Sequence, residues 1–267
     1  MTLRSANLSA EDALGFAELL RDAENEGSTA PLASTTFPGL DWEGARLIAL
    51  ARDDLRSADG DKCIGYKLGW TSAAMREALG IERPNWGTLW ESQRIDGRLN
   101  LTKLRHPKAE PEIVFSSGAD LGGEGITAND VLASAAGWSV GIEVVHPRWA
   151  SYDFTWLDNT ADNSSAAAVT HGAANQLDND PADIVATYSN GIETRKASGT
   201  QAMGSPAVAV AWLARQLATE GRSIERGHVV YTGGLTAPFD VQSGRRYTVQ
   251  TAQLESVEFV ADLIDHS

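Results

Sequence analysis

Val140-Gly141-Ile142-Glu143-Val144-Val145 is a run apolar enough to be a buried strand, yet it carries one carboxylate. A charge taken out of water alone is costly, so Glu143 needs either a basic partner, for which Arg148 is one candidate, or a metal. Upstream, Glu110-Pro111-Glu112 precedes a second apolar strand at 113–115. Residues two apart in extended chain point to the same face, so Glu110 and Glu112 can converge on one point. Pro111 has no backbone donor and fits a strand start or edge. The pair is either solvated at that edge or held around a cation that cancels its repulsion. Three carboxylates without a cysteine or a histidine cluster select Mg²⁺ or Mn²⁺ rather than zinc.

Working outward, apolar segments at 64–68, 229–232, 247–251 and 257–260 also read as strands, divided by Gly, Pro, Asp and Asn turns. Two helices lie among them. One begins at Thr127, with Asp130 at capping-box spacing; the other begins at Ser205, carries Pro206 in its first turn and stops at Gly221. Ahead of residue 63 the texture is helical. Ser9 and Asp12 have capping-box spacing before the apolar face Leu14, Phe16, Ala17, Leu19 and Leu20, and a second helix starts after Asp41. Residues 27–39, rich in Ser, Thr, Pro and Gly, read as a loop. Strands outnumber helices after residue 63 without regular alternation, so the expected class is α+β. The expected division is a helical N-terminal region over 1–62 and a β-rich metal-binding catalytic domain over 63–267.

A chain of 267 residues can bury a sizeable core. Its single cysteine, Cys63, rules out an intrachain disulfide and suits a reducing compartment. No secretory signal is evident, and the longest apolar run, 207–214, is too short to span a bilayer, so a cytoplasmic location without membrane attachment is expected. The net charge of −14, from 22 basic and 36 acidic residues, argues against nucleic acid as a partner. It leaves room for a small anion, which a local cation can hold inside an acidic protein.

Lys67 lies in Gly65-Tyr66-Lys67-Leu68-Gly69-Trp70-Thr71-Ser72, a glycine-flanked strand before a helix start at Ser72. It is either a snorkelling surface residue or a group that binds a substrate carboxylate or moves a proton. Thr160-Ala161-Asp162-Asn163-Ser164-Ser165 reads as a polar loop on composition. Thr232-Gly233-Gly234-Leu235-Thr236 closes a strand with glycines that let backbone approach a ligand, or that form an ordinary turn. His106, His146, His171, His228 and His266 show no ligand spacing, and no phosphate loop, dinucleotide fingerprint or nucleophile elbow is present.

The segments GYKLGWTS (65–72), HPKAEPEIVF (106–115), GIEVVHPRW (141–149), TADNSS (160–165), MGSPAVAVAWLA (203–214) and TGGLTAP (232–238) together resemble the hydratase/decarboxylase branch of the fumarylacetoacetate hydrolase superfamily. The resemblance covers most of the chain. It implies a mixed β-sandwich or roll, homo-oligomers, Mg²⁺ or Mn²⁺ on Glu110, Glu112 and Glu143, and Lys67 as the catalytic lysine. Members resembling 2-oxopent-4-enoate hydratases carry an acid within Pro-Asp-Phe-Gly, where this chain has Pro84-Asn85-Trp86-Gly87. The TGGLTAP and ADNSS forms look more like 2-oxo-3-hexenedioate (4-oxalocrotonate) decarboxylases, although His146-Pro147-Arg148 replaces the usual Asp-Ser-Arg. The expected activity is therefore decarboxylation of a small 2-oxo diacid. Loss of carbon dioxide into a metal-polarised conjugated system needs no strong base, which suits Asn85. Arg83 or Arg148 is expected to hold the far carboxylate, with Asn85, Asp162, Thr232 and Gly233 near the substrate. Rival readings are a 2-hydroxypenta-2,4-dienoate hydratase, an acylpyruvate hydrolase, and a non-catalytic subunit stabilising a related hydratase or decarboxylase.

Overall fold

A computed structural model describes residue 5 and residues 7–263; His266 lies outside the described residues. Polar caps set where the helices begin. Ser9 accepts the Asp12 amide to start α1 (Ala10–Glu26), which Gly27 ends in left-handed conformation. The following loop contains one short turn, α2 (Ala33–Thr36), and Asp41 caps α3 (Trp42–Ala58) through the Gly44 amide. Phe16, Leu20 and Ile48 of this helical segment are buried in one cluster with Trp149 and Ala161. Each such side chain contributes about 1.5–3 kcal/mol by leaving water, so the cluster ties the helices to the rest of the chain.

Then come β1 (Cys63–Gly69), α4 (Ala73–Leu79), β2 (Asn85–Trp90), β3 (Arg98–Asn100), β4 (Lys108–Ser117), α5 (Ala128–Ser134), β5 (Ala135–Val145), α6 (Trp156–Ala161) and β6 (Ala166–His171). The chain continues through β7 (Val185–Ser189), β8 (Thr194–Ser198), α7 (Pro206–Thr219), β9 (Val229–Tyr231), β10 (Phe239–Asp240), β11 (Arg246–Gln250) and β12 (Val257–Asp262). One mixed sheet has the order β2-β1-β9-β4-β5-β6, with β10 also pairing β4; the other runs β3-β12-β11-β7-β8. Ile113, Phe115, Val140 and Ile142 of the first sheet share a buried cluster with Tyr188, Tyr247 and Phe259 of the second. The expected α+β class and two-sheet sandwich are what the chain forms. Among the described residues no helix is long and apolar enough to cross a membrane.

Alternation decides what the sheet's other face carries. Tyr66 and Leu68 join the inter-sheet core, so Lys67 points the opposite way; Ile113 and Phe115 do the same for Glu110 and Glu112. Val140, Ile142 and Val144 likewise turn Glu143 to that second face. β4 pairs antiparallel with β5 in a register that sets Glu110 opposite Glu143 and Glu112 opposite Gly141. β4 is not an edge strand. Pro111 is tolerated because β9 pairs only with 114–116 and β10 only with 108–109, which leaves a gap beside it.

Two sequence expectations need correction. The segment 160–165 is not a solvated loop: every one of its residues is buried, over the end of α6 and a 3-10 turn. The strands β2, β3, β6, β7, β8 and β10 and helix α6 were not anticipated, because short or polar-rich segments lack a decisive period by themselves.

Candidate metal centre and cavity

One oxygen from each of Glu110, Glu112 and Glu143 lies within 4.8 Å of the others. Glu112 and Glu143 are wholly buried. Glu112 Oε2 accepts the Gly233 amide at 2.6 Å, whereas Glu112 Oε1 and both oxygens of Glu143 accept no hydrogen bond. Burial first, and then repulsion from Glu143, raises the Glu110 carboxyl to about 7 against partial relief from Lys67. The same two causes raise Glu112. Crowded, desolvated acceptors without donors are what a hard cation requires. Three carboxylates against one ammonium leave two negative charges when all are ionised, which matches a divalent ion. The residues fit the metal that the sequence implies.

Lys67 is buried rather than snorkelling. Its Nζ donates to the Ser164 carbonyl and Oγ, both at 3.0 Å, and lies 3.1 Å from Glu143 Oε1. This last contact is an ion pair without hydrogen-bond geometry, so Glu143 keeps its free lone pairs. Ser164 is aimed by an unusual backbone. Asn163, Ser164 and Ser165 hold φ of 54°, 52° and 55°, three successive left-handed residues, each costing about 1–2 kcal/mol. The cost is offset by the bonds the turn makes. Ser164 Oγ donates to Asn85 Oδ1, and Asn85 Nδ2 donates to Asn159 Oδ1 and Thr160 Oγ1. Thr88 N donates to Asn163 Oδ1 and Asn163 Nδ2 to Thr88 O.

The loop after β9 closes the other side. Thr232 Oγ1 donates to the Ile113 carbonyl. Gly233 has φ of 109°, and a Cβ there would meet Thr71 Oγ1 at 2.1 Å; a Cβ on Gly234 would meet Glu110 Oε2 at 2.7 Å. The glycines therefore let backbone lie against the carboxylates.

A cavity of about 200 Å³ opens beside the cluster. Lys67, Lys108, Glu110, Asn159 and Ser164 form part of its polar wall, and Trp70, Met75, Tyr152, Phe154 and Pro238 part of its apolar wall. Asn85 accepts from Ser164 Oγ, the Gly233 amide donates to Glu112, and Thr232 Oγ1 donates to the Ile113 carbonyl; none of the three lines the cavity itself. Neither proposed guanidinium reaches it. Arg83 stacks over the Trp42 ring at 4.2 Å and donates to Gln216. Arg148, instead of pairing with Glu143, is buried against Asp162, with Nε donating to Oδ1 at 2.6 Å and Nη2 to the backbone carbonyl. Asp162 is consumed by Arg148 and Arg52 and does not face the cavity. The expectation of either arginine at the cavity is not met, for a physical reason: Arg83 is already engaged by half-buried Trp42 and Gln216, and Arg148 by buried Asp162. Lys108, Asn159 and Ser164 line the cavity and were not singled out from sequence. For Lys108 the signal existed, since it shares the alternation of Glu110 and Glu112.

The fold and the carboxylate cluster define the class: a two-sheet sandwich with a three-carboxylate cluster beside a cavity on one sheet face. No family model matches the chain. It is 32% identical to the 2-keto-4-pentenoate hydratase of Burkholderia vietnamiensis over 247 residues, 91% of this chain and 94% of that one. It is also 32% identical to the 4-oxalocrotonate decarboxylase of Pseudomonas sp. strain CF600 over 255 residues, 94% and 97% of the two chains. The structure superposes on 4-oxalocrotonate decarboxylase from Pseudomonas putida G7, complexed with magnesium and adipate, with a TM-score of 0.92 at 29% identity, covering 96% of this chain and 100% of that one. Fumarylpyruvate hydrolase from Pseudomonas aeruginosa shares the fold alone, at 18% identity and a TM-score of 0.60, over 74% of this chain and 89% of that one. The chain belongs to the family of 2-keto-4-pentenoate hydratases and 4-oxalocrotonate decarboxylases.

Proposed function

We propose that this chain is a divalent-metal-dependent lyase that decarboxylates 2-oxo-3-hexenedioate to 2-oxopent-4-enoate or its dienol, in the breakdown of aromatic compounds. The observation that carries the reading is the set of donorless glutamate oxygens beside a buried lysine at the wall of a cavity. Glu110, Glu112 and Glu143 would hold Mg²⁺ or Mn²⁺. The bound ion would supply positive charge at the 2-oxo acid end, where electrons accumulate as carbon dioxide leaves.

The chain's own groups do the rest. Breaking the bond to the far carboxylate sends its electron pair through the conjugated double bond to the 2-oxo oxygen, giving a dienolate. Lys67 places an ammonium at the cavity wall that can stabilise this charge and return a proton. Because the Ser164 hydroxyl gives its hydrogen to Asn85 Oδ1, Ser164 Oγ turns a lone pair to Lys67 and keeps that ammonium oriented. Trp70, Phe154 and Pro238 give the cavity an apolar wall, which would limit water at the reacting carbons and favour carbon dioxide loss over hydration.

A second reading, hydration of 2-hydroxypenta-2,4-dienoate, is favoured by the 32% identity to a hydratase across nearly the whole chain. Against it, Asn85 is a neutral amide already bonded on both ends and offers no acid or base. The reading also takes residues 1–62 as a helical region set on a catalytic domain of 63–267, and the protein as a cytoplasmic homo-oligomer. The deciding experiment follows ultraviolet absorbance of 2-oxo-3-hexenedioate and release of carbon dioxide, with and without Mg²⁺. Metal-dependent release supports the decarboxylase. Turnover of the dienol to 4-hydroxy-2-oxopentanoate, with no carbon dioxide from the diacid, would replace it with the hydratase.

A further inference from the structure

Among the described residues the cavity wall holds two cationic side chains, Lys67 and Lys108. They differ in what they already touch. Lys67 gives two hydrogen bonds to Ser164 and is ion-paired with Glu143 at 3.1 Å. Lys108 Nζ is held only loosely, 4.5 Å above the Tyr152 ring and 3.6 Å from Asp240 Oδ1, a separation too long for a hydrogen bond. Asp240 is largely exposed, so water screens what attraction it offers. Lys108 is thus an ammonium at the cavity wall with unspent donors.

Its position matches a particular length of ligand. Lys108 and Glu110 are alternate residues of β4 on one face, so their backbones lie about 7 Å apart along the strand. A six-carbon chain has five bonds from one carboxyl carbon to the other and spans about 6 Å at the extension per bond of a polypeptide. A 2-oxo diacid with its oxo-acid end at the glutamates would then have its far carboxylate within reach of the Lys108 side chain, which lines the same cavity. We propose that Lys108 is the specificity-determining residue that binds the far carboxylate of a six-carbon 2-oxo diacid. The inference rests on the metal-centre reading above and adds the residue that separates diacids from monoacids.

The contact has a kinetic signature. The far carboxylate loses its charge as carbon dioxide departs, so its attraction to Lys108 is stronger in the ground state than in the transition state. Removing the ammonium should raise KM for the diacid and leave kcat equal or higher, a split that a merely structural role would not produce.

The direct test is calorimetric titration of the Mg²⁺-loaded protein with 2-oxoadipate and 2-oxohexanoate, which differ only in the far carboxylate. The unaltered protein should bind the diacid about tenfold more tightly, the effect of one charge-assisted hydrogen bond. Lys108→Met should bring the two affinities together by weakening the diacid alone, and Lys108→Arg should restore the preference. A preference that survives in Lys108→Met overturns the assignment, as does equal affinity for both compounds in the unaltered protein; in both cases Mg²⁺-dependent binding would leave the metal-centre reading standing. If neither compound binds even with Mg²⁺, the inference and the reading beneath it both fall.

Discussion

Two clusters of buried and half-buried charge lie close together in this molecule, and they are built on opposite principles. Arg52, Arg56 and Arg148 meet Glu24, Asp61 and Asp162, three cations against three anions, in a network of direct ion pairs. Glu110, Glu112 and Glu143 share one cation, Lys67, and leave oxygens without donors. The same residue type responds in opposite directions. Glu24 is pulled down to about 2, because the guanidiniums of Arg148, Arg56 and Arg52 outweigh its burial, while Glu110 is pushed up to about 7 by burial and Glu143. A closed network holds elements together. An open one stores a demand for a cation that the polypeptide itself does not meet.

The contrast breaks most visibly at Glu143. Glu143→Ala should abolish Mg²⁺ binding measured by calorimetry and lower kcat/KM about a thousandfold, the several kcal/mol that a catalytic metal supplies. Its thermal stability without metal should change little, since relief of repulsion on Glu110 and Glu112 offsets the loss of the carboxylate beside Lys67. Activity retained in that variant would sink the proposed centre. The reverse pattern is expected for Arg148→Met, which leaves buried Asp162 with Arg52 as its remaining guanidinium partner. Urea denaturation should show a loss of about 3–5 kcal/mol, with Mg²⁺ affinity of the folded protein unchanged. A loss below about 1 kcal/mol would mean that the closed network is not what ties α1 and α3 to the sheet. Metal itself should sharpen the difference. Mg²⁺ at a hundred times its dissociation constant should add about 2.7 kcal/mol to unfolding, and Glu112→Gln should remove that gain while Arg52→Lys keeps it. A denaturation midpoint indifferent to Mg²⁺ would count against a preformed site.

The two clusters were unequally legible in the sequence. Glu110 and Glu112 declared themselves through period-two alternation before an apolar strand, and Glu143 through a charge inside one. What alternation could not give was the register setting Glu110 opposite Glu143, which is a long-range pairing. The closed network was hidden because its members lie far apart in the chain, on α1, α3 and the segment after β5, and only packing assembles them. Residues 160–165 misled for a related reason. Ser, Asn and Asp favour loops by propensity, but here tertiary bonds to Asn85 and Thr88 hold three of them in a buried left-handed turn. The helix caps at Ser9, Asp41, Thr127 and Ser205 were readable because capping is local chemistry.

The smallest expected effect concerns pH. Glu24 titrates near 4.5 when unfolded and near 2 when folded. A depressed carboxyl contributes stability that is fully present above its unfolded value and lost as pH falls toward its folded one, so the loss is confined between about 4.5 and 2. Other carboxylates titrate in the same window, which makes the absolute slope uninformative. The difference between the unaltered protein and Glu24→Gln isolates the group. That difference should be about 2 kcal/mol at pH 7, discounted because Glu24 is partly exposed to solvent, and should shrink toward zero as pH approaches 2. Denaturant midpoints at a series of pH values, taken without metal, measure it. A difference that stays constant across the window would mean that Glu24 acts through packing alone, and the closed network would then end at Arg52 and Asp162 rather than extend onto α1.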